Sequence, residues 1–196
     1  MLLRRCGTDA LLVEVDSIHE VAAVRAALAG IPEIDELVPA ARTVLVVGGL
    51  TEARRALENI DLTAEHPSST REVVIPTHYD GPDLQLVADT ARITPERVIE
   101  LHTGATYEVA FCGFAPGFGY LTGLPEELQQ PRLDEPRTKV PAGSVGIAGE
   151  FTAAYPRATP GGWRLIGRTE ITLFDPRADP PTLLAPGDTV RFEVAG

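Results

Sequence analysis

The stretch Phe111–Pro125, "FCGFAPGFGYLTGLP", is the most unusual part of the sequence. It holds four glycines, two prolines, four aromatic residues and no charge. Glycines weaken a β-strand, so a regular strand alone does not account for this composition. The stretch predicts a chain that turns sharply, packs tightly and brings its backbone close to another surface.

The sequence from Tyr107 onward is broken into short strand-like segments separated by glycine and proline. These segments read "YEVAFCGF", "GSVGIAG", "FTAAYP", "WRLIGRTE", "ITLFD" and "DTVRFEV". Short strands at this spacing are typical of a β-barrel or a β-sandwich. The sequence therefore predicts that the aromatic stretch belongs to a β-rich domain.

The first part of the chain shows a different pattern, in which strand signals alternate with helix signals. A helix is predicted from Ser17, because Ser17 can cap its first turn and Glu20 follows three residues later. Strand-like runs surround it ("ALLVEV", "IDELVPA", "RTVLVVGG", "REVVIPT"), and a second helix is predicted at "TEARRALENI". The order β, α, β, β, α, β is that of a ferredoxin-like split βαβ domain.

We therefore predict an α+β protein of two domains. The first is a ferredoxin-like domain over residues 1–80. The second, over residues 81–196, begins with a helical linker and continues as a β-barrel. Within the linker a helix is predicted from Thr94, its cap, through Pro95 in its first turn to Gly104.

Composition and charge argue against several classes of protein. Asp and Glu outnumber Lys and Arg by 28 to 17, giving a net charge of −11, which disfavours nonspecific binding to nucleic acid or to an anionic membrane. No window has the apolar length of a membrane span, and the first residues lack the apolar core of a secretory signal. Cys6 and Cys112 make no disulfide framework, so two reduced thiols in the cytoplasm are expected.

Positive charge is concentrated between residues 131 and 168. Six Arg or Lys residues fall there against three Asp or Glu residues, and Lys139 is the only lysine of the chain. Such a segment can bind an anionic ligand through Arg137, Lys139 and Arg168. The alternative is a set of solvated or salt-bridged arginines on loops.

His102, in the last turn of a predicted helix, is the best candidate for a general base, since an imidazole titrates near neutrality. A structural histidine at a helix end is the alternative. His19, His66 and His78 lack the spacing of metal ligands, and no metal site is predicted. The sequence has no nucleophile elbow and no Walker-type phosphate loop. Catalysis by this chain alone is therefore not expected.

Several motifs together resemble the KipI family, which includes the B-type component of the ATP-dependent 5-oxoprolinase and is also called allophanate hydrolase subunit 1. The motifs are "GPDLQLVA", "FCGFAPGFGYLTGLP", "PRLDEPRTKVPAGSVGIAG", "YPRATPGGWRLIGRT" and "LLAPGDTVRF". The resemblance extends over most of the chain and is densest from Gly113 to Thr169. The sequence departs from the usual family pattern at Phe151, where many members have Gln.

The resemblance implies both a fold and a function. The implied fold is an N-terminal ferredoxin-like domain followed by a cyclophilin-like β-barrel. The implied function is that of one subunit of a multi-protein hydrolase that opens 5-oxoproline, a small cyclic amide, to glutamate with ATP and Mg²⁺. The implied partners are a C-type subunit, similar to allophanate hydrolase subunit 2, and an A-type subunit. Without these partners the chain is expected to be inactive.

The candidate site residues fall into three groups once the resemblance is taken into account. The predicted catalytic residues are His102, Lys139 and Arg168. The predicted residues for binding a substrate or anion are Arg137, Gly143, Ser144, Gly161 and Gly162. The predicted pocket wall or partner contact consists of Phe114, Pro116, Gly117, Phe118, Tyr120, Tyr155 and Trp163. We expect the aromatic stretch to form one wall of a cleft and the basic residues the other, with core packing as the alternative for the aromatic side chains.

Two other functions stay open at this point. One is a component of a biotin-dependent carboxyltransferase such as that of urea carboxylase. Its biotin would come on a separate carrier, because Lys139 lies in "RTKVP" and not in a biotinyl motif. The other is a non-enzymatic inhibitor of a sensor histidine kinase, a role attributed to the namesake of the family.

Overall fold

The computed structural model describes residues 1–63 and 71–196, which fall into two units, Met1–Pro67 and Ser68–Gly196. His66, noted above for its lack of metal-ligand spacing, lies outside the described residues.

The first unit is a four-stranded antiparallel sheet with two helices. Its elements are β1 (Leu2–Cys6), β2 (Ala10–Glu14), α1 (Ile18–Leu28), β3 (Ile34–Pro39), β4 (Thr43–Gly48) and α2 (Leu50–Leu57). The sheet order is β1-β2-β4-β3, so β2 and β3, which α1 connects, are parallel strands with β4 between them. This arrangement is the split βαβ unit predicted from the sequence.

Helix α1 begins where the sequence predicts. The Ser17 hydroxyl accepts a hydrogen bond from the Glu20 backbone N–H at 3.2 Å, which satisfies one donor of the first turn. The apolar face of the helix, formed by Val21, Val24 and Leu28, is buried in one cluster with the inward residues of β2 and β4. Burial of this face stabilises a helix that would be marginal in isolation.

The sequence prediction assigned one strand to the wrong unit. The run "REVVIPT" forms β5 (Glu72–Thr77), which lies in the second unit. The edge of β2 that a last ferredoxin strand would occupy is taken by β1, which pairs with β2 as a hairpin. Strand β1 is largely exposed and carries Arg4 and Arg5, so its sequence lacks the apolar alternation that would have predicted it.

The second unit is built on a seven-stranded sheet. Its strands are β5, β6 (Tyr107–Cys112), β7 (Gly119–Thr122), β9 (Ser144–Ala148), β10 (Phe151–Ala154), β12 (Arg164–Arg168) and β13 (Thr189–Val194). A separate two-stranded ribbon pairs β8 (Arg137–Val140) with β11 (Thr159–Gly161). Helices α3 (Leu84–Ala91) and α4 (Pro95–Gly104) connect β5 to β6. The predicted strand "ITLFD" is not a strand and makes only an isolated bridge from Phe174 to Thr182.

Backbone hydrogen bonds join the two edges of the large sheet. The sheet order is β12-β9-β10-β7-β6-β13-β5, which leaves β12 and β5 as edges. Directly after β5, His78 exchanges two backbone hydrogen bonds of 2.8 Å with Arg168 at the end of β12. The chain then continues along β12, where the N–H groups of Gly81 and Asp83 bond to the carbonyls of Ile166 and Leu165. We call His78–Asp83 the closing segment, because it turns the sheet into a barrel.

The barrel strands bury apolar residues on both faces. Alternate residues of β9 and β12, such as Ile147 and Ile166, face an interior cluster that also contains Tyr107 and Phe192. The opposite face packs in a second cluster, which we call the aromatic cluster. Its members are Ala115, Phe118, Val140, Ala148, Ala153, Tyr155, Trp163 and Leu165, with Tyr120 and Phe151 at its edge. The α+β class and the barrel-like second domain predicted from the sequence are confirmed.

Gly81 provides a test of the barrel closure. A Cβ at Gly81 would overlap the backbone of Leu165 and Ile166, because the closing segment lies directly against β12. We expect Gly81→Ala to lower the free energy of unfolding by about 1–3 kcal/mol, as overpacking does in other closely packed sites. Urea unfolding of the purified variant measures this change.

Gly104 supplies the matched control. It lies at the end of α4, and a Cβ built there meets no atom within 4 Å. Gly104→Ala should leave the stability unchanged or raise it slightly, because alanine is the better helix former. Equal stability of the two variants would show that the closing segment does not lie as close to β12 as described.

Candidate functional site

A cavity at the seam of the barrel brings together four of the predicted site residues. Its volume is about 340 Å³, and its lining includes Arg137, Lys139, Ser144 and Arg168. Strand β8 contributes Arg137 and Lys139, β9 begins with Ser144, and β12 ends with Arg168. The remaining wall is formed by the closing segment through Asp80, Gly81 and Pro82 and by Pro141, Ala142, Leu165 and Gly167. We call this the basic cavity.

Arg137 is held by a buried carboxylate. Its Nη2 donates to both oxygens of Asp83 at 2.6 and 2.8 Å, and its Nη1 donates to the Trp163 carbonyl at 3.3 Å. Asp83 is itself buried and also accepts the backbone N–H of Leu165 at 2.7 Å. A guanidinium engaged in this way acts first as a structural tie and has fewer donors left for a ligand.

Arg168 is more accessible than Arg137. It is half exposed and donates to Asp80 at 2.9 Å and to Glu170 at 3.4 Å. The hydrogen bond with Asp80 raises the pKa of Arg168 above its ordinary value, so the side chain stays charged. Because exposed ion pairs are weak, an anionic ligand can compete for this guanidinium.

Lys139 is a second exposed cation of the cavity, and among the described residues it makes no ion pair. The buried Ser144 borders the same space. An ammonium group, a guanidinium and a hydroxyl around one cavity form a donor set that suits a carboxylate or a phosphoryl oxygen.

The three predicted anion-binding glycines lie outside the lining of the basic cavity. Gly143 has φ +79° and a Cβ there would overlap the Thr169 carbonyl, so it serves a tight turn. A Cβ at Gly161 would approach the Tyr155 hydroxyl to 2.8 Å, and Gly162 packs against Pro136. The structure gives these glycines a packing role.

His102 lies in the interior of the barrel and not in the basic cavity. It has no exposed surface, and burial lowers its pKa from 6.5 to about 3. Its Nδ1 lies 2.7 Å from the Tyr79 hydroxyl and its Nε2 lies 2.9 Å from the Thr152 hydroxyl. Because both nitrogens are engaged and the ring cannot meet a substrate here, this placement speaks against the predicted role of general base.

Most of the predicted aromatic wall is core. Phe118, Tyr155 and Trp163 are buried in the aromatic cluster, and burial raises the pKa of Tyr155 to about 12. Buried Gly117 has φ +81°, and a Cβ there would approach the Phe174 Cβ to 2.7 Å. Tyr120 is half-buried and stacks on Phe111. None of these residues lines the basic cavity, so the expected cleft with one aromatic and one basic wall is not formed by that cavity.

Phe114 and Pro116 are the exposed members of the predicted wall. Phe114 is 59% exposed and has φ +66°, an uncommon conformation for a residue with a bulky side chain. Its ring contacts those of Phe118 and Tyr155 edge to face. Of the predicted wall, these two residues are the ones most open to another protein.

Sequence reasoning missed the acidic partners of the basic residues. Asp83 precedes α3 and resembles a helix cap, yet its side chain makes no capping hydrogen bond because it binds Arg137 and Leu165. Asp80 lies two residues before Pro82 in a loop with no pattern of its own. Their sequence separation from Arg137 and Arg168 hides the pairing.

Comparison with known proteins identifies the family. Residues 1–184 match the family described as the carboxyltransferase domain, subdomain C and D. The chain belongs to this family. It is 45% identical to the B-type component of 5-oxoprolinase from Escherichia coli over 174 residues, covering 84% of this chain and 80% of that protein. It is 47% identical to the corresponding 5-oxoprolinase component of Bacillus subtilis over 135 residues, covering 67% of this chain and 56% of that protein. The resemblance drawn from the motifs is confirmed.

Solved structures of other proteins share the fold. The crystal structure of TTHA0988 has a TM-score of 0.81 and 32% identity, covering 96% of this chain but 40% of that longer chain. The urea carboxylase of Kluyveromyces lactis has a TM-score of 0.73 at 20% identity, covering 99% of this chain and 22% of that enzyme. At that identity the likeness concerns the fold alone. Among the described residues, no helix is both long and apolar enough to cross a membrane.

The pKa of His102 leads to a prediction about stability. Between pH 6.5 and about 3 the unfolded chain holds a proton on this side chain that the folded chain does not. Folding stability should therefore fall as the pH decreases through this window, and rise as it increases. The contribution of this group is about 1.4 kcal/mol per pH unit at most, or about 2 kcal/mol between pH 7 and pH 5.

His102→Gln removes this titration while keeping an amide that can accept and donate hydrogen bonds. Urea unfolding of both proteins at pH 8, 7 and 5 measures the effect. The wild type should lose about 2 kcal/mol more than the variant between pH 7 and pH 5. Between pH 8 and pH 7 the two should run in parallel, since the imidazole is then neutral in either state. Parallel curves down to pH 5 would contradict a buried, neutral His102.

Proposed function

We propose that this chain is one component of an ATP-dependent 5-oxoprolinase, a hetero-oligomeric hydrolase of the cytoplasm. The observation that carries the proposal is the sequence identity of 45% and 47% between this chain and bacterial proteins named as the B-type component of 5-oxoprolinase. The basic cavity supports it, because 5-oxoproline carries a carboxylate that such a donor set can bind.

The chemistry of this reaction explains the need for ATP. Resonance makes the lactam carbonyl of 5-oxoproline unreactive toward water. Transfer of the terminal phosphoryl group of ATP to the carbonyl oxygen activates the carbon, water adds there, the ring C–N bond opens and phosphate leaves. The products are glutamate, ADP and phosphate. Negative charge develops on the transferred group, and cations placed beforehand stabilise it.

We assign to this chain the holding of the anion. Lys139 binds the carboxylate of the substrate or an oxygen of the transferred group, and Arg168 supplies a second positive charge. Ser144 offers a hydroxyl at the wall of the same cavity. We assign the groups that bind ATP with Mg²⁺ and that activate water to the partner subunits. His102, the candidate general base of this chain, is buried away from the cavity.

The partners in this proposal are a C-type subunit, similar to allophanate hydrolase subunit 2, and an A-type subunit. The exposed Phe114 and Pro116 are proposed as part of the contact with the C-type partner. An exposed aromatic ring on an otherwise packed loop is typical of a contact residue.

Reconstitution tests the proposal. The chain is mixed with its purified C-type and A-type partners, MgATP and 5-oxoproline, and the release of ADP and of glutamate is measured. Release that depends on 5-oxoproline and on all three proteins is the expected result. Absence of release with the complete set would refute the proposed function for this chain.

Lys139→Gln should lower kcat/KM for 5-oxoproline in the reconstituted enzyme. The expected loss is roughly 10- to 100-fold, the equivalent of one charged hydrogen bond. Arg157→Gln is the matched control, because Arg157 is an exposed cation of the same basic segment that does not line the cavity. Equal loss in the two variants would point to net charge and not to a site.

Two phenylalanines of one loop separate partner binding from folding. Phe114→Ala should weaken binding of the C-type partner, measured by calorimetry, with little change in thermal unfolding, because its ring is largely exposed. Phe118→Ala removes a buried ring and should cost about 3–5 kcal/mol of stability. Unchanged partner affinity in Phe114→Ala would contradict the proposed contact.

A biotin-dependent carboxyltransferase is the second candidate, favoured by the description of the family to which the chain belongs. This function requires a biotinylated carrier protein, and it does not involve hydrolysis of 5-oxoproline. A carboxylation assay with the carrier, the partner proteins and candidate acceptors separates the two functions. Carrier-dependent carboxylation without release of glutamate would favour the second.

A further inference from the structure

The closing segment has one face toward the basic cavity and one toward the barrel interior. Asp80 faces the cavity and pairs with Arg168. The neighbouring residue Tyr79 is half-buried and packs against the interior cluster. Backbone hydrogen bonds to β12 hold the segment at His78, Gly81 and Asp83. Tyr79 is therefore the side chain that anchors, from the inside, the stretch that presents Asp80 on the outside.

The interior anchor is a directed chain of hydrogen bonds. The Thr152 hydroxyl donates its single proton to the Gly146 carbonyl at 3.1 Å, so it accepts from the His102 Nε2–H at 2.9 Å. The Nδ1 of the neutral ring then carries a lone pair and accepts the Tyr79 hydroxyl at 2.7 Å. Each hydroxyl and N–H proton in this series of hydrogen bonds has an acceptor, which fixes the position of Tyr79.

We infer that Tyr79 is a positioning residue for the basic cavity. The hydrogen bond from Tyr79 to His102 holds the closing segment, and with it Asp80, in place. Asp80 in turn holds the Arg168 guanidinium at the wall of the basic cavity. The role in substrate binding rests on the proposed function. The effect on the cavity itself is a property of the chain and is tested without any activity.

Tyr107 provides a matched control within the same network. Its hydroxyl donates to the His102 backbone carbonyl at 2.8 Å, so Tyr107→Phe removes a hydrogen bond to the same residue. Tyr107 lies on β6 and outside the closing segment. A merely structural role for Tyr79 predicts that Tyr79→Phe and Tyr107→Phe behave alike.

The only lysine of the chain serves as a probe of the cavity. An amine-reactive reagent modifies Lys139 and the N-terminal amine, and mass spectrometry of peptides measures the two rates separately in the full-length chain. Asp80→Asn, which removes the carboxylate directly, defines the signal of a broken Asp80–Arg168 pair. The more positive cavity attracts an anionic amine-reactive reagent more strongly, which should speed modification of Lys139 by roughly 2- to 5-fold, the size of an exposed ion-pair effect.

Tyr79→Phe should speed modification of Lys139 in the same direction as Asp80→Asn, and Tyr107→Phe should leave it unchanged. Hydrogen exchange should also quicken at the amides of His78, Gly81 and Asp83 in Tyr79→Phe alone. Equal labelling rates in Tyr79→Phe, Tyr107→Phe and wild type would overturn the inference.

Thr152 gives an independent test through the far end of the chain of hydrogen bonds. Thr152→Val leaves the His102 Nε2–H without an acceptor, so the ring shifts and Tyr79 loses its partner. This variant should reproduce the faster labelling of Lys139, and Thr152→Ser, which keeps the hydroxyl, should restore the wild-type rate. Identical labelling of the valine and serine variants would also overturn the inference.

In the reconstituted enzyme, Tyr79→Phe should raise KM for 5-oxoproline by roughly 2- to 12-fold, the equivalent of one hydrogen bond, with a smaller change in kcat. Tyr107→Phe should leave KM unchanged. If the labelling results hold while even the wild type fails to hydrolyse 5-oxoproline, the proposed function fails and the positioning role of Tyr79 stands. If hydrolysis occurs but KM and labelling are unaffected by Tyr79→Phe, the positioning role fails alone.

Discussion

The buried carboxylate of Asp83 is the interaction on which the second unit depends. It accepts two hydrogen bonds from Arg137 and one from the Leu165 backbone, all between 2.6 and 2.8 Å. One carboxylate thus ties the closing segment to β8 of the outer ribbon and to β12 at the seam of the barrel. A charge this deeply buried is tolerated only when it is paired and fully hydrogen-bonded. Replacing Arg137 alone would therefore leave the buried Asp83 carboxylate without its cation, and replacing Asp83 alone would leave the partly buried Arg137 unpaired.

This tie decides which cation is left for a ligand. Arg137 is matched by Asp83, and Arg168 is matched by the exposed carboxylates of Asp80 and Glu170. Among the described residues Lys139 has no ion pair, so it carries the uncompensated positive charge of the cavity. A site with one uncompensated cation and a second that is weakly paired suits a small carboxylate better than a polyphosphate. The arrangement accords with the proposed function, in which this chain holds the substrate and the partner subunits bind the nucleotide.

The sequence predicted what depends on local signals and missed what depends on distant partners. The Ser17 cap and the split βαβ arrangement of β2, α1, β3 and β4 follow from spacing and turn residues, and they were predicted. The barrel strands β6, β9, β10, β12 and β13 were also predicted, whereas β7, β8 and β11 were missed. The basic cavity was partly predictable, because Arg137, Lys139 and Arg168 fall in one segment rich in positive charge. The burial of His102 was not, since its contacts with Tyr79 and Thr152 span 23 and 50 residues. Similarly, β5 carries ordinary strand residues, and only the parallel pairing with β13 places it in the second unit.

The loop around Phe114 shows how a packed stretch can also present a contact. Backbone hydrogen bonds from Ala115 to the Gly113 carbonyl and from Phe118 to the Ala115 carbonyl close two tight turns in succession. They hold Phe114 at φ +66°, which costs a non-glycine residue about 1–2 kcal/mol. Burial of Phe118 within the aromatic cluster supplies the stability that offsets this strain. Phe114 is left 59% exposed, so burial of its ring contributes little to the stability of the fold. A strained backbone that displays an apolar ring is explained most simply by a second surface that covers the ring, as the proposed partner contact would.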